Sequence, residues 1–121
     1  MATRMKGLTA HRVCRVFYRD YVNDVSIKSS EPESLLADRI VPLAERLLVS
    51  ADNFLGVVDR HDTILQCYVN DESDEVVLEL VMPEQPGCLR LIVPRATAMQ
   101  RLAELPERFD ATLLPGGEQI D

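Results

Sequence analysis

The chain has 121 residues, a size that a single domain fills and that buries a core without disulfide or metal staples. Hydrophobic residues make up 46% and charged residues 27%, which excludes global disorder, and no apolar run approaches the ~20 residues of a membrane span. The net charge of −7 sets the chain against nucleic acid and anionic membrane, whose binding rests on basic patches.

Residues 1–8 read as a frayed, mobile end. The stretch 9–22 carries two patterns at once. Val13, Val16, Phe17 and Tyr21 recur at helical spacing, with Thr9 placed to cap the start. The same stretch holds a run, 12–18, rich in residues that favour strands. Helix is the preferred reading, and a strand there adds to an edge of the sheet. Ser30 and Glu33 then match a capping box, with Pro32 in a first-turn position. They introduce a predicted helix over 33–49, striped by Leu36, Ile40, Leu43 and Leu47. Pro42 falls inside it, where a missing donor and a crowded carbonyl cost about 3 kcal/mol. The stripe keeps its register across Pro42, so one kinked helix is expected rather than two.

Four short runs follow: 54–59 (FLGVVD), 63–69 (TILQCYV), 76–82 (VVLELVM) and 89–93 (LRLIV). Each has strand length, is rich in aliphatic and β-branched residues, and is bounded by turn chemistry. The short polar connections favour an antiparallel meander. Alternation assigns Phe54, Val58, Leu65, Cys67, Val69, Val76, Leu78, Leu80, Met82, Leu89, Leu91 and Val93 to a core face. Leu55, Val57, Ile64, Gln66, Tyr68, Val77, Glu79, Val81, Arg90 and Ile92 fall on a second face. That face is mixed rather than polar, so the N-terminal segment or another chain is expected to cover part of it. A short helix over about 96–105 comes next, stopped by Pro106, with Phe109 anchoring the following turn. The tail 114–121, with Pro115, Gly116 and Gly117, reads as mobile. The expected fold is one α+β domain over 1–121. It has a four-stranded antiparallel meander, five-stranded if 9–22 is extended, packed against two or three helices.

Catalytic chemistry finds little support. Neither a phosphate-binding glycine loop nor a CxxC pair is present. Cys14, Cys67 and Cys88 are odd in number, which fits free thiols in a reducing compartment, and the cytoplasm is the expected location. Cys67 and His61 are too far apart along one strand to form a nucleophile–base pair. His11 and Cys14 lack the further ligands that zinc requires. Asp59, Arg60, His61 and Asp62 gather at a hairpin tip, where such residues serve as turn formers. Asp71, Glu72, Asp74 and Glu75 make the densest charge run, without the spacing of a calcium loop. No metal, cofactor or catalytic residue is therefore assigned.

Charge is unevenly spread. Residues 1–30 hold six basic against two acidic residues, net +4, and the rest seven against eighteen, net −11. The expected function is a non-enzymatic binding protein whose acidic surface, marked by Asp59, Asp62, Asp71, Glu72, Asp74 and Glu75, engages a basic protein. In general look, the strings 52–59 (DNFLGVVD), 64–66 (ILQ) and 76–79 (VVLE) resemble small acidic bacterial immunity proteins of polymorphic toxin systems. That resemblance spans about 52–105 and implies neutralisation of a basic effector. Two readings stand beside it. One is a ligand-binding domain or enzyme with a site between sheet and helices that uses Asp59, His61 or Glu79. The other is a homodimer that buries the mixed face.

Overall fold

The structure is a computed structural model that describes residues 12–70 and 74–121. The described residues form one eight-stranded sheet, antiparallel throughout, with two short helices. The strands are β1 (Val13–Asp20), β2 (Val25–Ile27), β3 (Glu33–Leu36), β4 (Phe54–Val58), β5 (Ile64–Val69), β6 (Glu75–Val81), β7 (Cys88–Pro94) and β8 (Glu118–Ile120). The helices are α1 (Ile40–Leu47) and α2 (Arg95–Ala103). Across the sheet the order is β2-β1-β4-β5-β6-β7-β8, and β3 continues the β2 edge along the other half of β1. The meander expected over 54–93 is present as β4 to β7. The four- or five-stranded sheet with two or three helices is corrected to a sheet of eight strands.

Three expectations fail for physical reasons. Residues 9–22 do not form a helix where they are described, because β1 pairs on both sides. Its register with β4 runs from Arg15↔Val58 to Arg19↔Phe54, and its other side pairs β2 and β3. Pairing on both sides supplies backbone hydrogen bonds in place of those of a helix, and the β-branched and aromatic residues of 12–18 suit it. The predicted capping box at Ser30 and Glu33 is absent, because Glu33 opens β3 opposite Val16. The helix expected over 33–49 shrinks to Ile40–Leu47, preceded by a single tight turn, Ala37–Arg39. Pro42 therefore lies in the first turn, where its missing N–H has no intrahelical partner to lose. It neither kinks nor splits the helix.

One layer lies on one face of the sheet. Ile40, Leu43, Ala44 and Leu47 of α1, and Ala98 and Leu102 of α2, pack with Val16, Leu55, Val57, Leu65, Cys67, Val76, Leu78, Leu80 and Val93. Residues Leu105, Phe109, Leu113 and Leu114 complete this core, so Phe109 anchors its turn as expected. The segment 114–121, read as a mobile tail, leads into β8, whose register with β7 includes Cys88↔Ile120 and Arg90↔Glu118.

The face assignment of β4 is also corrected. Leu55 lies opposite Cys67 and Val57 opposite Leu65, and residues directly opposite in antiparallel strands share a face. Leu55 and Val57 are thus core residues, fully buried. Phe54 and Val58 belong to the second face. Both sets are apolar, so alternation alone carried no preference, and a shift of one residue reverses the whole strand.

Candidate functional site

The strand registers divide the acidic residues between the two ends of the sheet. At one end β1 finishes, β4 begins, β5 finishes and β6 begins. Asp24, Asp52, Asp74 and Glu75 sit there, all exposed. Asp24 accepts from Arg19 at 3.1 Å and Asp74 from Arg95 at 3.0 Å. Both carboxylates remain largely in water, at 89% and 85% side-chain exposure, so these pairs hold weakly. Asp52 and Asp24 were not among the sequence-selected residues. Only the pairing of β1 with β4 brings their two turns to one end.

The scaffold beneath this end is a buried polar network. Asn53 donates from its side chain to the Leu47 carbonyl at 2.9 Å and to the Asp20 carboxylate at 3.2 Å, and accepts from the Tyr21 N–H at 2.8 Å. Asp20 accepts also from the Asn23 side chain and from the Val22 and Asn23 N–H groups. The Asn23 side-chain bond, with those from the backbone and Asn53, holds the Asp20 carboxyl below its ordinary value against the cost of burial. It stays ionised and fixes the 21–24 turn, in which Asp24 adopts a left-handed conformation (φ 52°).

Of the six sequence-selected residues, Asp74 and Glu75 lie at this end. Asp71 and Glu72 fall outside the described residues. Asp59 and Asp62 lie at the opposite end, because β5 separates the two turns by about 20 Å. Asp59 is buried, and its carboxylate accepts from the N–H groups of His61, Thr63 and Phe109 at 2.8–3.0 Å. That side chain ties the β4–β5 hairpin to the C-terminal core segment and is taken up internally. Asp62 is exposed, has φ 65°, and pairs with Arg15 at 3.0 Å. A hollow of about 210 Å³ at this end is lined by Arg12, Arg15, Arg60, Asp59, Glu107 and Phe109 among others. Arg12 donates to the Leu105 carbonyl there, and Arg15 to that of Asp59.

The groups invoked for a buried site are dispersed. His61 is exposed at the hairpin tip. Cys67 is fully buried under the helices, with its thiol pushed up to about 12 by desolvation, which leaves it inert. Glu79 lies on the other face, not between sheet and helices. One of its oxygens accepts from Tyr68 Oη at 2.9 Å and from Arg90 Nε and Nη2 at 2.8 and 2.7 Å. Burial and the Glu79 contact raise the Tyr68 phenol, and burial raises the Cys88 thiol beside it, so both stay protonated at neutral pH. Alternation had already put Tyr68, Glu79 and Arg90 on one face. Their cross-strand contact became visible only with the registers Gln66↔Glu79 and Glu79↔Arg90.

Among the described residues, no group of three or more His, Cys, Asp or Glu side chains is arranged to hold a metal ion. None of their helices is long and apolar enough to cross a membrane. Comparison of the chain with protein-family models, with curated proteins and with solved structures yields no match.

Proposed function

We propose that this chain is a non-enzymatic binding domain that meets a basic protein through the acidic end of its sheet. The observation that carries the reading is the convergence there of Asp24, Asp52, Asp74 and Glu75, with the turns that carry Asp24 and Asp52 tied together by the Asp20–Asn53 network. Carboxylates held in water at fixed spacing attract a cationic surface from a distance and set its orientation, without the desolvation that a buried pair costs. The action is that of an immunity-like protein, which neutralises an effector by covering it. Cys14, Cys67 and Cys88 as free thiols accord with a reducing compartment such as the cytoplasm.

The test is capture by the full chain at low salt, followed by affinity measurement against whatever basic protein is recovered. Raising salt from about 50 to about 500 mM is expected to weaken binding at least about tenfold. Replacing Asp24, Asp52 and Asp74 together by lysine is expected to abolish it. Affinity that ignores salt, or that survives the triple replacement, refutes the reading.

A further inference from the structure

We infer that the groove between α1 and the border of the sheet formed by β1, β2 and β3 binds a monoanionic amphiphile, a carboxylate on a straight alkyl chain. The helices cover one face of the sheet, and α1 leaves that border of the face open. Tyr18 on β1 and Leu35 on β3 are therefore only partly buried against the core. Ile27 of β2 lies opposite Tyr18 and Glu33 of β3 opposite Val16, so both share the same face. The groove left there holds about 400 Å³, within the roughly 300–1,000 Å³ of small-molecule sites.

The floor of the groove is apolar and recessed. Val16 and Leu43 there are buried, and Tyr18, Ile27 and Leu35 are half-buried. The charged lining is exposed at the rim, with Arg39 and Arg46 on the α1 side and Glu33 on the β3 side. Among the described residues, none of the large apolar side chains left exposed lines it. An alkyl chain is narrow enough to reach such a floor. A protein partner instead needs protruding apolar groups and about 800 Å² of surface to grip.

Charge fixes the head. Arg12, Arg15, Arg19, Arg90, Arg95 and Arg101 each donate to a carboxylate or a backbone carbonyl. Arg39 and Arg46 have no such partner among the described residues, and both line this one groove. With Glu33 opposite, the rim carries one net positive charge, in a chain whose net charge is −7. That balance matches a single carboxylate and leaves a dianion or a cation unmatched. The Tyr18 hydroxyl also bonds no described residue and is free to donate to the head. None of the four carboxylates proposed to meet a basic protein lines the groove, so the two readings stand or fall separately.

The test is titration of the full chain with sodium decanoate below its micelle concentration, read from amide chemical shifts. The expected result is saturable shifts centred on Tyr18, Ile27, Leu35 and Arg46, with a Kd of about 1 mM or tighter. Hexanoate, four methylenes shorter, is expected to bind at least about tenfold more weakly. Arg39→Gln together with Arg46→Gln is expected to weaken decanoate at least about fivefold while melting stays as in the parent, and Arg60→Gln to leave binding unchanged. Absence of saturation overturns the inference, as do shifts centred elsewhere or a double variant that binds like the parent. So does decyltrimethylammonium binding as tightly as decanoate. Shifts at the same residues on dilution of the ligand-free chain put a second copy in the groove and overturn it as well.

Discussion

Phe17 shows how one residue pair decides a strand's place. Its ring lies on the uncovered face yet is only 4% exposed, because it rests on Gly56 of the neighbouring strand. A Cβ at position 56 would sit 2.1 Å from the ring's Cζ. Phe54 meets the same ring edge-on, with centroids 6.4 Å apart at 63°. The glycine is therefore the seat of an aromatic side chain and not a weak point in β4. Gly56→Ala is expected to destabilise the fold by about 1–3 kcal/mol, since the ring must leave its rotamer or the strands must part. Thermal melting checks it, and an unchanged melting temperature would mean that the ring moves freely. Nothing in the order of residues announces this contact, because it joins positions separated by a helix and two strands.

At the level of elements, what was legible was what is local. β4 to β7 were readable because each run is bounded by its own turn residues and each neighbour in sequence is a neighbour in space. β1, β2 and β3 were not, because their state is decided by pairing with one another and with β4. Helical spacing at Val13, Val16, Phe17 and Tyr21 is equally compatible with a strand whose two faces are both partly covered. The acidic end was half legible for the same reason: the run near Asp74 is contiguous, whereas Asp24 and Asp52 join it only through the β1–β4 register. β8 depends on a similar non-local fit. Gly87 has φ +72°, and a Cβ there would lie 1.9 Å from the Ile120 carbonyl oxygen. Gly87→Ala should therefore both strain the turn and push β8 off its edge. Amide exchange is the direct measurement: residues 118–120 are expected to lose protection while β5 and β6 keep theirs. Retained protection at Ile120 would show that the turn yields instead.

On the scale of the molecule, two electrostatic effects act in opposite directions as pH falls. With net charge −7 at neutrality and a pI near 4.8, acidification first relieves general repulsion and favours the compact state. Asp20 and Asp110 then act the other way. Bonds from Asn23, and from Asn53 and the turn amides, lower the Asp20 carboxyl below its ordinary 3.8; those from the Thr112 side chain and N–H lower Asp110. A carboxyl with a lower value folded than unfolded contributes stability that is complete above the unfolded value. The contribution is lost as pH drops through the folded one, because the unfolded chain binds the proton first. The melting temperature should accordingly rise or hold between pH 7 and about 5, then fall below about pH 4. Asp20→Asn should melt lower than the parent at neutral pH and show a shallower fall in acid, since one of the two titrating groups is gone. A parent curve still rising at about pH 3, or an Asp20→Asn curve parallel to it throughout, would mean that the polar network under the acidic end does not tie the turns to the sheet.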